Sequence, residues 1–99
     1  MALNEKELID EIVKYAAEKG GIHSEWYVGV SKDPQKSLFK KHNVDKNTDL
    51  WMYNHAAFAV DAQRALDRLL MMGFDGEAAS SDKDATVVFI YKKKQHTKE

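Results

Sequence analysis

Leu8, Ile9, Ile12, Val13, Ala16 and Ala17 recur at the spacing of one helical face, with Glu5, Asp10, Glu11, Lys14 and Glu18 on the other side. Asn4 and Glu7 stand ahead of this stripe at capping-box spacing, so that each side chain can satisfy one orphan amide of the first turn. Gly20 and Gly21 close it, as glycine commonly does just past a helix end. The pattern predicts a first helix built for packing.

The period then changes. Trp26 to Ser31 is rich in aromatic and β-branched residues and predicts a strand. Alternation puts Trp26, Val28 and Val30 on one face and Tyr27, Gly29 and Ser31 on the other, with Gly29 leaving room for a ligand or another backbone. Asp33-Pro34 starts a helix, an N-cap acceptor before a residue preset for the first helical position. That helix is expected to reach His42, with Leu38 and Phe39 inward. A polar loop over 43–49 leads to a second strand at 50–53. A third helix is expected over about residues 57–72, with Phe58, Ala62, Ala65, Leu66, Leu69 and Leu70 as its apolar face and Gly73 as its end. Met71-Met72 reads as core filler. After a loop through Ser81 and Asp82, residues 86–91 form the strongest strand pattern in the chain. The expected fold is α+β, in the order α-β-α-β-α-β: one small, mostly antiparallel three-stranded sheet packed by three helices.

Composition narrows the chemistry. A chain of 99 residues holds one core, and the absence of cysteine removes disulfides, thiolate metal sites and a cysteine nucleophile. With no signal-peptide pattern and no apolar run long enough for a membrane span, the expected location is cytoplasmic, without a membrane partner. The formal charge of −1 hides an uneven layout. Lys32, Lys36, Lys40, Lys41 and Lys46 make residues 23–47 basic, and Lys92, Lys93, Lys94 and Lys98 make the tail basic, while 48–85 is acidic. Brought together, the two basic segments would form a phosphate-contacting surface; apart, they are solvated lysines that discourage edge pairing. His23, His42, His55 and His96 lack the spacing of a metal-ligand set. Trp26, Trp51, Tyr53 and Tyr27 would form a stacking platform only on a shared face, which adjacent Trp26 and Tyr27 cannot have.

Residues 27–34, Tyr-Val-Gly-Val-Ser-Lys-Asp-Pro, followed by Leu38 and His42, resemble the second half of the GIY-YIG nuclease core. There a strand ending Tyr-Ile/Val-Gly turns into a helix carrying Arg and often His. Segments 26–44, 50–53, the helix ending Gly73-Phe74-Asp75-Gly76 and the last strand together resemble small single-domain bacterial and phage proteins of that superfamily. The likeness covers about residues 26–92, with residues 1–22 as an added N-terminal helix. It implies that Tyr27 matches the family's second tyrosine, Gly29 its glycine and His42 a frequent histidine. The family's arginine falls on Ser37, and its metal-holding glutamate falls on Leu66 or Asp67. Gly21-Ile22-His23 echoes the first signature but lies too close to Tyr27 for a separate strand, so that Tyr91 or Phe89 is the candidate replacement. The glycine-rich loop of the small relatives has lost most of its glycine over 76–81.

The resemblance therefore implies a retained scaffold with a degraded catalytic set, since loss of both the charge-stabilising donor and the metal carboxylate is close to fatal for phosphodiester hydrolysis. The reading is a non-catalytic GIY-YIG-like domain that binds nucleic acid weakly through Lys32, Lys36, Lys40, Lys41, Lys92, Lys93 and Lys94, with no cofactor. One alternative is a protein-interaction module of phage or mobile-element origin. The other is a residual nuclease using Tyr27, His42 and Asp67, with Asp67 holding Mg²⁺ or Mn²⁺.

Overall fold

The computed structural model describes residues 2–76 and 84–98. Helix α1 (Glu5–Lys19) begins at the expected capping box: the Glu7 amide donates to the Asn4 side chain at 2.9 Å and the Asn4 amide to Glu7 Oε1 at 3.0 Å. A short 3₁₀ turn (His23–Glu25) leads into β1 (Trp26–Ser31). Helix α2 (Pro34–Lys36) is capped by Asp33 and continues as a π-helical turn (Ser37–Lys41). Strand β2 (Trp51–His55), helix α3 (Ala59–Met71), the two-residue β3 (Asp75–Gly76) and β4 (Val87–Lys92) follow.

The sheet has four strands in the order β2-β4-β1-β3. The chain's last strand thus lies at the centre, antiparallel to both β1 and β2, while β3 runs parallel to β1. The expected three-stranded antiparallel sheet is corrected to a mixed four-stranded one. The extra strand is too short to leave a period-two signature, and it pairs only because Gly76 has no Cβ to collide with the Val28 carbonyl.

One face of the sheet, through Trp26, Val28, Val88 and Ile90, packs on Leu8, Ile12 and Ala16 of α1 and on Ala62, Ala65, Leu66 and Leu69 of α3. Each fully buried leucine or isoleucine here contributes about 1.5–3 kcal/mol. The opposite face packs Tyr27, Phe89 and Tyr91 against Leu38 and Val44. Phe58, expected on the apolar face of α3, is instead its exposed N-cap residue. Met71 and Met72 are not core filler either: they are 87% and 42% exposed. Both fall at the C-terminal end of α3, Met71 as its last residue and Met72 as its C-cap. No helix among the described residues is long and apolar enough to cross a membrane.

Candidate functional site

Register decides which side chains meet. On the α2 face of the sheet, Trp51, Tyr91, Tyr27 and Asp75 form one row across the four strands. Tyr53, Phe89 and Gly29 form the next row, and His55, Val87 and Ser31 the third. The π-helical turn inserts an extra residue before the chain leaves α2, with the His42 amide donating to the Ser37 carbonyl at 2.9 Å. This turns the His42 ring down onto the sheet, with ring centroids 4.9 Å from Tyr27 and 5.2 Å from Tyr91. The space at Gly29 is not open to a ligand, because the Phe89 ring fills it.

His42 and Tyr91 are both fully enclosed and converge on one backbone oxygen. His42 Nδ1 lies 2.6 Å from the Lys98 carbonyl, which can only accept, so this nitrogen carries the proton. The Tyr91 hydroxyl donates to the same carbonyl at 3.2 Å. Beside them, Lys93 Nζ meets Asp75 Oδ2 at 2.8 Å. His96 Nε2 lies 2.5 Å from the buried Asp49 carboxylate, which also accepts the Asp45 amide at 2.7 Å. The Asn47 backbone amide first, then the Thr48 side chain, hold the Asp45 carboxyl below the usual carboxylate range. These contacts tie the tail to the 42–49 loop.

The proposed catalytic trio is not assembled. Tyr27 and His42 meet, but Asp67 is exposed on α3, across the sheet, where its carboxylate accepts from Gln63 Nε2 at 3.1 Å. Leu66 is buried in the core of that far face. Ser37, at the arginine position, is hydrogen-bonded through its hydroxyl to Ser31 at 2.6 Å. Among the described residues no group of three or more His, Asp or Glu side chains is disposed to hold a metal ion. The degraded loop at 76–81 lies, after Gly76, outside the described residues.

The basic residues also divide. Lys32 follows β1 at its Ser31 end, whereas Lys92 pairs with Trp26 at the other end of the ladder, roughly 17 Å away along the strands. Lys92 stands over the Trp26 ring at 6.0 Å, on the face away from α2, and Lys93 is paired with Asp75. Lys94 is exposed, and its backbone amide donates to Thr97. The expected single patch is therefore not continuous. Lys36 and Lys40 remain together on the outside of α2, with Asp33, Gln35 and Phe39, around an open depression of about 270 Å³; Lys41 is exposed beside them.

Phe39 joins that helix to β2, its ring edge-on to Trp51 at 4.9 Å and 83°. Trp51 is anchored further by its indole N–H, which donates to the Lys46 carbonyl at 3.1 Å. Tyr53 continues the stack at 6.1 Å and 14°, and His55 ends it edge-on at 6.1 Å and 81°. Alternation within β2 carries the signal for this aromatic column, but its position on the outer strand beside α2 depends on strand order. No family model, curated protein or solved structure matches the chain.

Proposed function

We propose that this chain is a non-catalytic, GIY-YIG-like domain that binds nucleic acid through the outer face of α2 and the adjoining aromatic column of β2. The Phe39–Trp51 contact carries this reading, because it joins the exposed ammonium groups of Lys36 and Lys40 to the half-open rings of Tyr53 and His55. Ammonium groups neutralise phosphates and release counterions, while ring faces accept bases without regard to sequence. A patch of two or three lysines on a chain of net charge −1 supports weak, salt-sensitive binding. Titration of short DNA and RNA at two salt concentrations tests it. Affinity should fall on the order of tenfold between 50 and 200 mM salt, and Lys36→Gln with Lys40→Gln should weaken it further. Binding that is absent at low salt would sink the reading. Plasmid should remain intact with Mg²⁺ or Mn²⁺; cleavage abolished by Tyr27→Phe would overturn the non-catalytic part.

A protein-interaction role is the second reading, favoured by a different surface. Ile22 and Met71 are 66% and 87% exposed, and the His23 Nδ1 contact with the Met72 carbonyl at 2.9 Å draws their segments together. Exposed methionine beside isoleucine is an adaptable apolar contact. A partner recovered by the wild type, lost with Met71→Glu and retained with Lys36→Gln, would favour it.

A further inference from the structure

We infer that the nucleic acid taken by this site is single-stranded, with its bases stacked on Tyr53 and His55 along the outer strand of the sheet. This rests on the nucleic-acid reading above and goes beyond it in naming strandedness and the residues that select it. Three observations carry it.

The first is the geometry of β2. It is an edge strand whose alternate residues Trp51, Tyr53 and His55 point to the same face as α2. Trp51 is committed at both ends, to Phe39 and to the Lys46 carbonyl. Tyr53 is half-buried and His55 exposed, and their planes stand 81° apart. One exposed and one half-buried ring on the same strand offer surface for bases, and a base can use them only when its own face is outside a duplex stack.

The second is that the helix carrying Lys36 and Lys40 does not suit a duplex. Reading a major groove needs a protruding helix or a two-stranded ribbon. Here α2 has a single α-helical turn before its π-helical turn, and it lies flat on the sheet through the buried Leu38.

The third is that the edge of β2 is already occupied at both ends. The Leu3 amide donates to the His55 carbonyl at 2.9 Å, and the Ala57 amide returns to the Leu3 carbonyl at 2.8 Å. The Tyr15 hydroxyl donates to the Trp51 carbonyl at 3.1 Å. An extended peptide adding itself as a fifth strand would have to displace these, so the edge is closed to strand addition while the ring face stays open. Beside that face Lys36 and Lys40 outnumber the single carboxylate of Asp33, leaving a net positive charge that suits a phosphate backbone running along α2.

The test is anisotropy with labelled oligonucleotides of about a dozen nucleotides, single-stranded and as the matching duplex, a length within known site sizes. Wild type should bind the single strand at least about tenfold tighter than the duplex. Tyr53→Leu keeps apolar bulk on the sheet but removes the ring face. It should cost the single strand about 5- to 100-fold, with the salt dependence unchanged. Tyr53→Phe should bind like wild type, and His55→Ala, at an exposed position, should weaken binding without affecting folding. Duplex bound as tightly as single strand, with Tyr53→Leu neutral and the lysine variants weakened, would overturn the inference and leave the nucleic-acid reading standing. No binding of either form would overturn both.

Discussion

Gly29 is held without a side chain by its neighbour across the sheet. A Cβ there would lie 2.5 Å from Phe89 Cζ and 2.9 Å from Cε2, and the ring is only 3% exposed, with His42 packed against it. Gly29→Ala must push an enclosed ring off its position, and should cost about 1–3 kcal/mol. Urea unfolding checks this, and a change under about 0.5 kcal/mol would mean the ring has room to move. Reading the chain alone marks Gly29 as a point of close approach, which is correct, but leaves open what approaches. A side chain does, since the identity of the neighbour is a matter of register between strands some sixty residues apart in sequence. Asn54 is the converse case. Its Nδ2 is buried with no hydrogen-bond partner among the described residues, on the strand face opposite Tyr53. Leaving such a donor unpaired costs about 1–3 kcal/mol, whereas an apolar side chain of similar shape carries no such penalty. Asn54→Leu should therefore be neutral or stabilising by about 1 kcal/mol in the same unfolding measurement. A clear loss would show that the amide has a partner outside the described residues.

At the scale of elements, α1 is the most legible part of the molecule, because its start, stripe and stop are all local. The capping box forms as the spacing of Asn4 and Glu7 requires, and Asn4→Ala should cost about 1 kcal/mol. Helix α2 was legible only at its start. Asp33 caps it as expected, but the change to a π-helical turn at Ser37 follows from the need to set Leu38 and His42 onto Tyr27, Phe89 and Tyr91, contacts no local pattern encodes. The same holds for the site. The lysines of α2 and the aromatic alternation of β2 are visible in the sequence, whereas their adjacency comes from Phe39 meeting Trp51. Docking of α1 on β2 has its own signature in pH. Burial raises the pKa of the Tyr15 phenol, so folding favours its neutral form. That contribution is fully present below the ordinary tyrosine value of about 10 and is lost as pH rises through the raised value in the folded state. Stability measured between neutral and strongly alkaline pH should fall less steeply in Tyr15→Phe than in the wild type. The variant should also be somewhat less stable at neutral pH, because the Trp51 carbonyl loses its donor.

Across the whole molecule, the last residues close the fold, although the tail reads from sequence as little more than a run of lysines. The Lys93 amide donates to the Glu25 carbonyl at 2.8 Å, the Lys98 amide to the His42 carbonyl at 2.7 Å, and Asn43 Nδ2 to the His96 carbonyl at 2.9 Å. His96 meets Asp49, a carboxylate whose side chain is only 2% exposed. The tail thus fastens the 42–49 loop, which in turn supports Trp51 through the Lys46 carbonyl, so that the stability of the tail and the order of the proposed binding face are linked. The His96–Asp49 contact is the point at which to break that link. His96→Ala leaves the Asp49 carboxylate enclosed with the Asp45 amide as its remaining described partner, and should cost about 1–3 kcal/mol. Asp49→Asn removes the charge and keeps an acceptor for that amide. If the two side chains act as a pair, the double variant should be less destabilised than the sum of the singles, with a coupling of about 0.5–3 kcal/mol in a double-mutant cycle. The indole emission of Trp51, followed in a Trp26→Phe background, should change in His96→Ala if the loop loosens with the tail. Additive losses with unchanged emission would mean that the tail is only a surface attachment.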